Sequence, residues 1–297
     1  MSRSFEFEAR STPALRCRSA TKDMNPSADP PASKRTDILA PDAMTDDRIQ
    51  RRVFAGGLLA LVVASWSYLV YQEWAMRHMD LVDMAMPGAG FWSSADFMLV
   101  FVMWAVMMIA MMLPSVLPTL RSYRAVVSTR DHQGRPNALT AVFAAGYVFT
   151  WTIFSAIATV TQSVLHAFSL VSPAMRAASP SIAGALLIAA GIYQWTPSKR
   201  ACLAQCASPL QFLLRHWRPG ASGAWRMGIV HGAYCAGCCW MLMALLFVYG
   251  MMNLAWIIAI AMYVLSEKLL PAQRWLPRLA GALLIFWGFT VLSIAWR

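Results

Sequence analysis

Seven apolar runs, joined by loops that are alternately basic and almost uncharged, restrict this chain to one kind of fold. The runs cover about 53–71, 96–118, 139–165, 181–196, 227–250, 254–267 and 278–296. Most approach the 20 or so residues that a helix needs to cross a bilayer, while the fourth and sixth are short for it and are either extended by flanking residues or partly re-entrant. The segment before the first run carries Arg48, Arg51 and Arg52, and the first loop only Arg77. The second loop has Arg121, Arg124, Arg130 and Arg135, and the third only Arg176. The fourth has Lys199, Arg200, Arg215 and Arg218, with Arg226 at its edge, and the fifth has none. The sixth has Lys268, Arg274 and Arg278, and Arg297 alone follows the last run. Basic loops stay on the cytoplasmic side, so the pattern predicts an all-α, polytopic transmembrane bundle of about seven spans, N-terminus in and C-terminus out. A missed helix would break the alternation.

Composition agrees. The chain is 58% hydrophobic and 13% charged, about half the charge of a soluble domain. The net charge of +11 sits in the N-terminal segment and alternate loops, as orientation signals do, and no nucleic-acid-binding signature accompanies it. Residues 1–52, rich in Ser, Pro, Asp and Arg, are expected to form a disordered polar tail ahead of a helical domain over 53–297. No apolar stretch near residue 1 resembles a cleaved signal peptide. Met44-Thr-Asp-Asp-Arg48 reads as an alternative start, which N-terminal sequencing of the native protein would identify.

The chemistry is concentrated between 202 and 239, where five of the six cysteines lie. In the fifth run His231, Cys235 and Cys238 fall at i, i+4 and i+7, with Cys239 at i+8, one stripe of a helix. A histidine within a span faces the bundle interior or a polar cavity. Gly228 and Gly232 form a small-xxx-small pair that allows close helix approach. Cys202 and Cys206, one turn apart, lie just past the cytoplasmic end of the fourth run. Thiols and imidazole are ligands for copper and zinc. Cysteines also pack as small hydrophobes, which is the alternative for each of them.

Depth brings methionines in. At 1.5 Å per residue, Cys235 and Cys238 lie roughly 12 and 17 Å from the cytoplasmic end near 227. The antiparallel second run puts Met108, Met111 and Met112 at roughly 17, 12 and 11 Å from the same side. Met103, Met107 and Met111 share a stripe, and Pro114 frees a backbone carbonyl. Thioether beside thiolate selects Cu(I) over zinc, although a methionine stripe equally suits core packing. In the first outside loop, Met76-Arg-His78-Met-Asp80 and Asp83-Met-Ala-Met86 resemble copper-collecting segments or an interfacial loop. Gln194, Thr196-Pro197, Lys199 and Glu267-Lys268 add polar groups near the cytoplasmic face, Glu267 as ligand, proton relay or interfacial charge.

Ala183-Gly-Ala-Leu-Leu-Ile188 with Gly191 recurs as Ala280-Gly-Ala-Leu-Leu-Ile285 with Gly288, and Trp104-x-x-Met107 as Trp240-x-x-Met243. The paired runs point in opposite directions, as in the inverted repeats of transporters or by chance recurrence in apolar helices.

The residues Trp104-x-x-Met107-x-x-Ala110-Met-Met-x-Pro114, Tyr193-Gln194-x-Thr-Pro197-x-Lys199-x-x-Cys202-x-x-x-Cys206 and His231-Gly-x-Tyr-Cys-x-Gly-Cys-Cys-Trp240 carry a resemblance. It continues through Met241-Leu-Met243, Gly250-Met-Met-Asn253 and Glu267-Lys268. Over roughly 53–297 the chain resembles a bacterial family of predicted metal-binding integral membrane proteins of unassigned function. The resemblance implies a membrane protein with a metal site; it transfers no substrate or reaction.

The reading is therefore a multi-pass protein of a bacterial inner membrane that binds a soft metal, copper before zinc. It would transport the ion or deliver it to a metalloenzyme or receive it from a metallochaperone. His231, Cys235, Cys238 and Cys239 are the expected ligands, Cys202 and Cys206 ligands or an entry relay, and Met108, Met111 and Met112 a path. Two alternatives stay open: a thiol-disulfide oxidoreductase using Cys202/Cys206 and Cys235/Cys238, and a membrane scaffold whose cysteines only pack. The charge pattern puts the cysteines on the reducing side, which disfavours the first.

Overall fold

A computed structural model describes residues 41–78, 92–130, 136–169, 179–250, 253–270 and 275–295. Among these residues every regular element is a helix: α1 Pro41–Arg77, α2 Ser94–Arg130, α3 Pro136–Ala167, α4 Pro180–Trp195, α5 Pro197–Ala207, α6 Pro209–His216, α7 Gly220–Ala244, α8 Leu246–Tyr249, α9 Leu254–Leu269 and α10 Trp275–Ala295. Stretches within α1, α2, α3, α7–α8 and α10 are long and apolar enough to cross a membrane. The two short runs are helices of 16 residues, α4 and α9. The all-helical bundle stands as expected.

Boundaries shift at three places. Residues 41–52, placed in the disordered tail above, are helical as the start of α1. The chain divides into units Met1–Asp47 and Arg48–Arg297, and the second holds every candidate ligand. α2 runs on through Pro114 and Pro118 to Arg130, twelve residues past the expected end. Pro114 lacks the N–H that would bond the Ala110 carbonyl, and Trp66 Nε1 of α1 donates to that carbonyl instead, at 3.1 Å. The freed oxygen thus holds α1 and is not offered to a metal.

Caps punctuate the segment between α4 and α7. Thr196 closes α4 with its N–H on Tyr193 O, and its Oγ1 accepts from Lys199 N at 3.3 Å to open α5. Proline stands first in α4, α5 and α6, where a missing N–H costs nothing. The loop before the fifth span is therefore itself helical, and α5 lies against α7.

Glycines set how closely the helices meet. A Cβ at Gly228 of α7 would collide with the Phe143 carbonyl of α3, and one at Gly146 of α3 with the Trp225 carbonyl of α7. The small-xxx-small pair was expected, and α3 is its partner. Gly228→Leu is expected to destabilise the bundle by about 1–3 kcal/mol or more, because backbone blocks the new side chain. Gly56→Leu, where nothing lies within 4 Å, should be neutral by comparison. Thermal unfolding in detergent, followed by size-exclusion chromatography, would read the difference.

The repeated Ala-Gly-Ala-Leu-Leu-Ile segments pack on each other. A Cβ at Gly184 would sit 2.9 Å from Gly288 O, and one at Gly288 2.8 Å from Gly184 O. Gly191 and Gly281 exchange the same way, at 2.7 and 2.8 Å. The two copies thus form an antiparallel pair, α4 with α10, related by a local two-fold. The Trp104/Trp240 likeness has no such counterpart: Trp104 is fully buried, whereas Trp240 is exposed.

Outer faces are apolar. Leu59, Val63 and Val70 of α1, Ile153, Ile157 and Val160 of α3, and Leu283, Phe286 and Phe289 of α10 are all exposed. Faces this large and apolar need a covering that water does not provide.

Candidate metal centre

α2, α3, α5, α7 and α9 converge on Cys235. Its residue is fully buried, the thiols of Cys238 and Cys239 hydrogen-bond to its carbonyl, and Cys206 lies beside its side chain. Lys268 of α9 donates from Nζ to Cys235 Sγ at 2.9 Å and to Ser115 Oγ of α2 at 2.8 Å. Tyr147 Oη of α3 lies 3.1 Å from Cys235 Sγ and donates to Met112 O at 3.2 Å. A buried ammonium is stable only beside an anion. Of the two hydrogen-bond partners of Lys268, only the sulfur can carry negative charge. Cys235 is thus the natural thiolate of the group, beside the Lys268 ammonium.

The other thiols turn toward this residue as donors. Cys238 and Cys239 both place Sγ 3.0 Å from the Cys235 carbonyl. Cys206, buried on α5, bonds the Cys235 and Cys238 side chains, and those bonds hold its thiol well above the ordinary range. Among the described residues no three His, Cys, Asp or Glu side chains are arranged to hold a metal ion. Cys238 and Cys239 spend their S–H on a backbone carbonyl.

Cys202 is the one free thiol of the described five that is not buried. Its sulfur rests against Gly237, where an added Cβ would come within 2.9 Å. Burial, and then the nearby Cys238, raise its thiol above the usual value. The thiolate is the species that alkylates. Among the five cysteines of the described residues, a maleimide is therefore expected to modify Cys202 first, more slowly than free cysteine at pH 8, with the rate still climbing above pH 9. Peptide mass spectrometry across a pH series checks this.

His231 stands a turn before Cys235, and no hydrogen bond joins its ring to a thiol. Nε2 is 3.3 Å from Thr119 Oγ1, and the ring lies among Phe143, Tyr147 and Phe212, at centroid distances of 6.0, 5.9 and 4.8 Å. Nδ1 is buried with no hydrogen-bond partner. A buried nitrogen left so costs free energy that a ligand would recover. Met108, Met111 and Met112 are all buried on α2. What ties them to the thiols is the Met112 carbonyl under Tyr147. His78 stacks on Trp74 at 4.9 Å, and the rest of the Met-rich loop, residues 79–91, lies outside the described residues.

Lys268, Tyr147 and Ser115 complete the centre. The sequence reading placed Lys268 at a membrane edge and did not single out the other two. Glu267 is no interfacial charge either: it is 3% exposed and its carboxylate pairs with Lys199 at 2.7 Å.

Residues 101–291 match the protein family PpoB2, described as a copper chaperone. No curated protein and no solved structure matches the chain. The matched stretch takes in both cysteine pairs, the Met-rich part of α2, Tyr147 and Lys268, and leaves α1 outside. Since it covers well over half of the sequence, the chain belongs to this copper chaperone family.

Proposed function

We propose that the protein is a membrane-embedded chaperone that takes Cu(I) as cargo at Cys235 and passes it to a metalloenzyme under assembly. One observation carries the reading: Cys238 and Cys239 of α7 and Cys206 of α5 gather around Cys235, whose buried sulfur a lysine and a tyrosine contact. Soft sulfur donors suit a soft monovalent ion, and the family is described as a copper chaperone. In this reading Cys235 binds first, Cys238, Cys239 and Cys206 turn in as its partners, and Cys202 stands at the entrance. His231 offers its unpartnered Nδ1 one turn away, and Met108, Met111 and Met112 continue the path along α2. The apolar outer faces and five long helices support insertion in a bilayer, and the loop charges support seven crossings of a bacterial inner membrane, N-terminus in and C-terminus out.

The test is metal analysis of the intact protein, purified in detergent under reducing conditions without chelator. The reading expects about one Cu(I) per chain, with X-ray absorption showing sulfur ligation. Zinc in place of copper, or no metal after copper loading, would overturn it.

A further inference from the structure

A cavity of about 1060 Å³ opens between the ends of α4, α5, α9 and α10, and the thiol centre does not account for it. Trp195 and Leu276 lie among its mostly apolar walls, and Arg200 and Arg278, both exposed, also line it. Gln194 and Glu267 line it too. The Glu267 carboxylate is already neutralised by Lys199, so it does not oppose an anion. Gln194 Oε1 accepts from Lys199 Nζ and Tyr263 Oη, which leaves the amide nitrogen as the end still to be satisfied. That nitrogen is buried with no partner, on a residue 1% exposed. Two guanidinium groups, an unspent N–H donor and an apolar wall are complementary to an anionic head with a hydrocarbon body.

We infer that this cavity binds an anionic phospholipid of the leaflet on the basic-loop side. The phosphate would lie between Arg200 and Arg278, a head-group oxygen would accept from Gln194 Nε2, and an acyl chain would follow the apolar wall. Position favours a lipid over free phosphate. Trp195 and Trp275 mark the level of a membrane interface, where basic pockets between helices take anionic head groups. A volume of this size also exceeds what one phosphate would fill. The lipid would join α10, otherwise packed on α4, to α5 and α9. The inference needs the bilayer reading and not the metal.

The experiment is native mass spectrometry of the intact protein released from nanodiscs of mixed phosphatidylglycerol and phosphatidylcholine. Wild type should retain phosphatidylglycerol in preference to phosphatidylcholine. Arg200→Gln with Arg278→Gln should cut that preference roughly tenfold or more. Gln194→Leu should weaken retention, while Arg215→Gln with Arg218→Gln, exposed in the same basic segment and outside the cavity, should leave it unchanged. Equal retention of the two lipids, an unchanged preference in the Arg200/Arg278 variant, or displacement by millimolar inorganic phosphate would each overturn the proposal. Circular dichroism and size-exclusion profiles of each variant separate loss of lipid from loss of fold.

Discussion

Cys235→Ser is expected to abolish copper retention, weakening Cu(I) binding by at least roughly a hundredfold. Serine keeps the size and a hydrogen bond but removes the polarizable sulfur that a soft cation needs. It also leaves Lys268 buried beside two hydroxyls and no anion, so some loss of stability will accompany the loss of metal. Cys235→Ser with Lys268→Met separates the two effects, because the stranded ammonium is gone. If that pair folds as wild type and still carries copper, Cys235 is not the ligand. Cys238→Ser and Cys239→Ser should each cost less, since either thiol can turn in for the other. Cys202→Ser should slow loading and leave the final stoichiometry unchanged. A Cu(I) competition assay with a chromophoric chelator, followed in time, measures all five variants. An oxidoreductase would give a different pattern: loss of any one cysteine of a pair would stop turnover, and metal would not matter.

The helical class and the thiol stripe were legible in the sequence because both are written at short range. A stripe at i, i+4 and i+7 needs only helix periodicity, and α7 presents Cys235 and Cys238 buried as that spacing requires. Depth counting also put Met112 level with Cys235, and Tyr147 bridges those two residues. What escaped is what depends on the third dimension. Lys268 follows an apolar run, so hydropathy alone leaves it at an edge. Only the packing of α9 on α2 and α7 carries its ammonium to a sulfur 33 positions away in sequence. Tyr147 has no periodic partner that would single it out among aromatics of a span. The internal repeat was legible as a pattern but not as a meaning. Its two copies pair with each other through glycines, which no count of matching letters could tell from a transporter repeat. His231 is in phase with the cysteines, yet aromatic rings and Thr119 take its side chain first.

The second large effect belongs to the buried pair beside the centre. Lys199 is 1% and Glu267 3% exposed, and Nζ lies 2.7 and 2.8 Å from the two carboxylate oxygens. Tyr263 donates to the same carboxylate at 2.6 Å, and Gln194 Oε1 accepts from the lysine. The four residues join α4 to α5 and α9, the two helices that carry Cys206 and Lys268 to Cys235. Glu267→Leu strands an ammonium and Lys199→Met strands a carboxylate, so each single change is expected to cost about 3–5 kcal/mol. Lys199→Met with Glu267→Leu removes both charges, and most of that loss should return, because a matched apolar pair has no desolvation to offset. Thermal melts in detergent, compared across the four proteins, give the coupling. If the double variant recovers its Tm and still binds copper, the pair fixes the position of α9 and takes no part in holding the ion. If it recovers its Tm and loses copper, the Lys199–Glu267 charge acts on Cys235 through Lys268, the next residue along α9.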